Sequence, residues 1–270
     1  MQRYKLTIAY DGSTYCGWQR QLDLLSVQEA LEIAFRSFCG ESVTIVAAGR
    51  TDAGVHASGQ VCHVDLAKEW RNDVVRDAVN QYLVRERIAI LSAEKVSEDF
   101  HARFSATSRH YVYKLLNRRA PPVFERGFVW HLKRKVDVAA MDKAAKRLIG
   151  RHDFSTFRDA ECQAESPVRN LDRFDVVQDG EMVQFHLSAR AFLHRQVRSM
   201  VGTLEQVGSG RWTDADLVNA LEAKDRKACG PVAPSDGLYL DRVDYDEPSA
   251  QNSMRTIIVN TKTRDPFPSQ

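Results

Sequence analysis

Ala48-Gly49-Arg50-Thr51-Asp52-Ala53-Gly54-Val55-His56 gathers a carboxylate, a guanidinium, an imidazole and two glycines into one short run. Apolar, strand-like text stands on both sides, VTIVA at 43–47 and QVCHVDL at 60–66. Turns held between strands are where a rigid scaffold displays reactive groups. Glycine lets the backbone bend sharply and pass close to a ligand, and a neighbouring arginine favours the ionised form of an aspartate. The run therefore suits a functional turn that carries Asp52 as its acid. It equally suits a tight turn in which Asp52 accepts from nearby backbone N–H groups, as many loop aspartates do.

Two further segments carry candidate chemistry. In Ser108-Arg109-His110-Tyr111-Val112-Tyr113 the alternate spacing puts Tyr111 and Tyr113 on one face of a strand. Paired aromatics beside Arg109 make a platform on which unstacked bases can lie; ordinary sheet packing explains the same spacing, and explains at least one of the two better. In Ala191-Phe192-Leu193-His194-Arg195-Gln196-Val197-Arg198, the last arginine stands one helical turn from His194 and Arg195. Its guanidinium suits a bidentate pair with a carboxylate or phosphate, although a snorkelling surface arginine is the plainer reading. The chain has no P-loop, no GxGxxG ahead of a helix, no HExxH and no GxSxG. His56 and His63 flank a strand, but two lone histidines do not make a metal site. Chemistry that needs neither metal nor cofactor is the expectation.

The 270 residues, 43% hydrophobic and 27% charged, fit one large soluble domain or two moderate ones. No stretch approaches the apolar run needed to span a membrane, and the first residues lack a signal-peptide layout, so a cytoplasmic location is expected. Net charge is only +2, yet basic residues gather at Arg103, Arg109, His110, Lys114, Arg118, Arg119 and Arg126, at Lys133, Arg134 and Lys135, and at Arg190, His194, Arg195 and Arg198. Such clusters form an electrostatic footprint for nucleic acid on a nearly neutral protein; a solvated surface yields the same pattern. Five widely spaced cysteines without a CxxC argue against a disulfide framework or a zinc site.

The elements that must position these groups follow from period and capping. Strands are predicted at 4–10, 88–96 and 108–116, besides the two around Asp52. Ser26-Val27-Gln28-Glu29 is a capping-box sequence that opens a helix with Val27, Ala30, Leu31, Ala34 and Phe35 inward. A second helix starts near Asn72, a third follows Asp137 and stops at Gly150, a fourth covers 192–207, and a shorter one is capped by Thr213. Asp179-Gly180 is a hairpin signal between strands at 173–178 and 181–189. The order predicts an α+β fold: two similar domains, each a mainly antiparallel sheet covered by helices, with an active-site cleft between them. The expected division is an N-terminal domain over 1–107 and a C-terminal domain over 108–246. A polar tail over 247–270 holds one strand-like piece at 255–259.

The particular residues resemble the TruA family of tRNA pseudouridine synthases. Gly49-Arg50-Thr51-Asp52-Ala53-Gly54-Val55-His56 is similar to that family's signature. Other pieces match in family order: Tyr10-Asp11-Gly12 with Gly17-Trp18-Gln19-Arg20, then Phe100-His101-Ala102-Arg103-Phe104-Ser105-Ala106-Thr107 leading into Arg109 and Tyr113. Gly150-Arg151-His152-Asp153-Phe154, Phe192-Leu193-His194 through Arg198 to Val201-Gly202, and Gly237-Leu238-Tyr239-Leu240 follow. The set spans nearly the whole chain. One departure is Asn80-Gln81-Tyr82-Leu83-Val84, where the family often has a proline; it bears on loop shape.

The resemblance implies isomerisation of uridine to pseudouridine in the anticodon stem-loop of tRNA, by a cytoplasmic homodimer without cofactor or metal. It implies Asp52 as the catalytic carboxylate, Tyr111 as the active-site tyrosine and Arg198 as the partner arginine. Arg50 would fill the stack vacated by the extruded nucleoside. Arg20, Arg109, Tyr113, His194 and Arg195 are expected RNA contacts. Three other readings stand beside it: a noncatalytic RNA-binding or RNA-folding module, a synthase of the same family with other RNA targets, and a hydrolase or lyase using Asp52 and His56 as an acid–base pair.

Overall fold

A computed structural model describes residues 1–246, and the strand-like piece expected at 255–259 lies outside the described residues. The chain runs β1 (Gln2–Tyr10), α1 (Val27–Cys39), β2 (Val46–Ala47), β3 (His56–Leu66), α2 (Asn72–Tyr82), β4 (Ile88–Val96) and β5 (Ala106–Asn117). It continues through β6 (Trp130–Leu132), α3 (Val138–Ala145), β7 (Gly150–Asp153), β8 (Val168–Asp179), β9 (Met182–Ala189), α4 (Gln196–Gly208), α5 (Asp214–Ala223) and β10 (Leu238–Tyr245). No helix among the described residues is long and apolar enough to cross a membrane.

Local chemistry accounts for most of these bounds. Ser26 accepts from the Glu29 N–H and Gly40 ends α1 at φ 76°. Asp137 accepts from Ala140 at the start of α3, and Thr213 with Asp216 forms a reciprocal capping box on α5. Helix α2 begins at Asn72 without any side-chain cap, so its amphipathic face, burying Val75 and Val79, fixes it instead. Along β1, Tyr4, Leu6, Ile8 and Tyr10 are buried in strict alternation.

The predicted α+β fold is what forms, with the two halves joined through one continuous sheet of order β4-β1-β3-β10-β5-β9-β8-β7. Neighbours in that order are antiparallel except at β10, which joins the halves by lying parallel to β3 and antiparallel to β5; off this path β6 lies parallel to β5. Two hydrophobic cores correspond to the two halves. The first gathers β1, β3, β4, α1 and α2, and the second gathers β5, β8, β9, α3, α4 and α5. The chain's last described strand contributes to both, Val243 to the first and Leu238 to the second. The division expected at 107/108 falls within β5.

Several elements differ from the sequence expectation: β3 extends back to His56 and β8 to Val168, and β6 and β7 form where the periodicity predicts no strand. The strand predicted at 43–47 shortens to β2 at the end next to the Asp52 turn, where Val46 and Ala47 pair with His63 and Cys62. The helix expected from Phe192 starts four residues later. Arg195 adopts a left-handed backbone, φ 57° and ψ 10°, which no α-helix can continue through.

Histidine burial makes this fold acid-sensitive. His63 is 5% exposed, and its Nδ1 accepts from the Ala102 N–H at 3.1 Å. Burial, helped by the nearby Arg3 and His101, pushes its pKa down to about 4 from the ordinary 6.5. Between those values the unfolded chain binds more protons than the folded one, so stability is complete above about pH 6.5 and falls as pH drops toward 4. Chemical denaturation across that window is expected to show the decline, and His63→Gln to flatten part of it. A wild-type curve flat from pH 7 to 4 would contradict the assignment.

Candidate active site

The turn bearing Asp52 is held from beneath by the loop after β1. Trp18 N–H donates to the Thr51 carbonyl at 3.0 Å, and Tyr10 Oη meets Thr51 Oγ1 at 2.8 Å. Two glycines permit this contact. A Cβ on Gly12 would lie 2.0 Å from the Val55 carbonyl oxygen. A Cβ on Gly17, at φ 104°, would lie 2.8 Å from the Thr51 oxygen and 3.1 Å from the Asp52 carbonyl carbon. His56 closes the far end of the turn. Its Nδ1 accepts from the Gly12 N–H and lies 3.2 Å from Asp11, and its Nε2 reaches the Gly127 carbonyl at 3.1 Å. Burial lowers its pKa, so the ring serves as a neutral buttress.

Asp52 faces the second half of the protein. Its Oδ2 accepts from Arg198 Nη1 at 3.0 Å, and its Oδ1 lies 3.3 Å from His194 Nε2. Arg198 extends from the first turn of α4 and is steadied by an Nε bond to the Ala233 carbonyl at 2.8 Å. Tyr111, half-buried, packs against both cores and meets the edge of Phe192 at 5.1 Å between ring centroids. Burial first, then the neighbouring Tyr10 and Asp52, raises its pKa, so its hydroxyl is protonated at neutral pH. Tyr10, also buried, is pushed up to about 12. Both tyrosines near the turn are therefore neutral at neutral pH.

The other expected residues separate into two groups. Arg50 is exposed beside Asp52 and makes no ion pair among the described residues. Arg20 reaches Glu32 at 2.5 Å and Arg195 reaches Asp159 at 2.8 Å, and both keep nearly half their side chain in solvent. These three can meet a phosphate. Tyr113 and Arg109 cannot, which corrects the expectation for both. Tyr113 is wholly buried in the second core and donates to the Pro234 carbonyl. Arg109 is 8% exposed, and its guanidinium donates to the carbonyls of Ala48, Arg103, Ala106 and Arg190. That fan of bonds ties the start of the Asp52 turn to the chain just ahead of His194. His194 and Arg195 precede α4 rather than riding on it.

Sequence reasoning missed Tyr10, Thr51, Phe192 and Asp159 as neighbours of the site. Tyr10, Thr51 and Phe192 had a signal, each standing inside one of the matched motifs; Asp159 stands in text with no distinguishing pattern. No group of three or more His, Cys, Asp or Glu side chains close enough to share a metal ion occurs among the described residues.

Comparison with known proteins bears on this arrangement. The profile of a family described as tRNA pseudouridine synthase matches residues 6–105 and 144–246. A protein of Methylocella silvestris named tRNA pseudouridine synthase A is 60% identical over 247 residues, covering 92% of this chain and 100% of its own length. Proteins of the same name from Mesorhizobium japonicum and Brucella anthropi are 60% and 58% identical, covering 91% and 92% of this chain and the whole of their own.

The glycine beneath the turn yields a direct test. Gly17→Ala forces either the left-handed backbone or the Thr51 carbonyl to move, at a cost of roughly 1–3 kcal/mol. Equilibrium unfolding in urea is expected to report that loss, and a variant as stable as the parent would show that the turn is not seated on Gly17.

Proposed function

The chain belongs to the tRNA pseudouridine synthase family, and from that premise we propose that Asp52, Tyr111 and Arg198 form its active site. The enzyme is an isomerase that converts uridine in tRNA to pseudouridine. The bond between ribose C1′ and uracil N1 breaks, C1′ joins C5, the C5 proton is lost and N1 gains one, so no atom enters or leaves. A carboxylate serves such an exchange as nucleophile or as base. Asp52 supplies it, with Arg198 holding one oxygen and balancing its charge. The Tyr111 ring offers a face on which uracil can stack.

The observation that carries this reading is the meeting of Asp52, Arg198 and Tyr111 at the seam between the two cores. A noncatalytic RNA module has no use for that meeting. Pairing of Asp52 with His56 as acid and base is disfavoured, because both His56 nitrogens are engaged with Gly12, Asp11 and Gly127. The target nucleotide sits within a stem and must be extruded, at roughly a few kcal/mol; Arg50, exposed beside Asp52, is placed to fill the gap. Arg20 and Arg195 contact the phosphate backbone. We assign residues 1–107 the catalytic turn and 108–246 the tyrosine strand and arginine helix. The anticodon stem-loop is the target, and a homodimer in the cytoplasm is the working form.

Chemical labelling of pseudouridine in anticodon-arm transcripts tests the reading. Wild type is expected to modify them. Asp52→Asn is expected to lose roughly a thousandfold or more in turnover while RNA affinity changes by less than about threefold. Near-normal turnover by that variant would remove Asp52 from the chemistry. Arg198→Ala is expected to lower kcat roughly ten- to hundredfold with little change in KM, and equal losses in both would reduce Arg198 to a binding residue.

A further inference from the structure

Asp52 has two carboxylate oxygens, and Arg198 engages only Oδ2. The other oxygen faces His194, whose Nε2 lies 3.3 Å away. The opposite nitrogen of the same ring, Nδ1, lies 3.8 Å from Asp159 Oδ1. The imidazole thus stands between two carboxylates, one belonging to the reactive turn and one to the second half of the chain.

The backbone around His194 is arranged to hold it there. Asp159 N–H donates to the His194 carbonyl at 3.0 Å, and Asp159 Oδ2 takes Arg195 Nη1 at 2.8 Å. Gln196, 1% exposed, accepts from the Leu193 N–H through its Oε1 at 2.8 Å, closing the same turn from its other side. Arg195 occupies the left-handed region at φ 57°, which a non-glycine residue adopts under constraint. Asp159 is itself 8% exposed and accepts from the Glu161 N–H at 3.0 Å. Burial opposes its ionisation, but that bond together with Arg195 and His194 outweighs it and keeps its pKa low. An anchored carboxylate, a constrained turn and a half-exposed imidazole aimed at Asp52 form a single device.

We propose that His194 is a positioning residue for Asp52, set 3.3 Å from its Oδ1 and backed by Asp159 at 3.8 Å, so that the reactive carboxylate meets a side chain at each oxygen. This rests on Asp52 being the catalytic group. A carboxylate bonded at one oxygen only can rotate about its Cβ–Cγ bond; contacts at both oxygens fix its plane. Fixing it matters because small misplacements of a reacting group cost large factors in rate. His194 is therefore part of the site's machinery rather than a contact for the RNA backbone.

Three variants test the assignment under single turnover and steady state with an anticodon-arm transcript. His194→Gln keeps an N–H near the position of Nε2, whereas His194→Leu keeps bulk without a donor. His194→Leu is expected to lower kcat roughly ten- to hundredfold while KM and RNA affinity change by less than about threefold. His194→Gln is expected to recover at least about fivefold of that loss. Asp159→Asn, which leaves His194 in place but weakens its support, is expected to lower kcat roughly three- to tenfold with RNA affinity kept. Thermal unfolding of each variant separates these effects from loss of the fold. Leu and Gln variants of equal kcat, or losses in RNA affinity that match the losses in rate, would overturn the proposal. Failure of the Asp52 reading shows separately, as full activity in Asp52→Asn.

Discussion

The ion pair between Asp52 and Arg198 is the contact on which the rest of the arrangement depends. Its partners are separated by 146 positions in the chain and belong to different halves of the protein. Both are largely withdrawn from water, with side-chain exposures of 20% and 16%. A pair so placed loses hydration on both sides and is stable only when its geometry is held. Any slip between the halves would leave two poorly solvated charges apart. The seam between the two cores is thus the surface whose alignment sets the proposed site.

Several features hold that seam. Strand β10, last in the described chain, lies between β3 of the first half and β5 of the second, so the sheet crosses the boundary without a break. Arg109 bonds to the carbonyl of Ala48, just before the reactive turn, and to that of Arg190, just before His194. Its burial lowers its pKa, yet a guanidinium still carries charge at any ordinary pH. One buried cation thereby fixes the spacing of the two segments that must meet. Tyr111, packed against both cores, lies where the sheet offers a surface near that meeting point.

The turn itself follows a different logic. It is held by backbone contacts with the loop after β1, which come close only because Gly12 and Gly17 lack side chains. Tyr10 and His56 brace its two ends while neutral. Neutral braces leave the charge of the pocket to Asp52, Arg198 and the groups of the 192–198 segment. Rigid backbone on one side and charged side chains on the other give a carboxylate that is fixed in place and still reachable from solvent.

Local sequence was enough to place most of the elements, because capping, period and turn chemistry act over a few residues. Ser26, Asp137 and Thr213 start their helices as their types require, and Asp179-Gly180 makes its hairpin. The GRTDAGVH run and the ordered motifs around it were enough to identify the family. Tertiary structure alone decided which side chains the site uses. Tyr111 and Tyr113 share a strand and a face, yet one lies at the seam and the other inside the second core. Arg109 and Arg50 are both arginines beside motifs, yet one bonds to four carbonyls and the other is exposed to solvent. Spacing tells which way a side chain points, but burial is set by distant residues packed over it. Those partners meet only when the chain has closed.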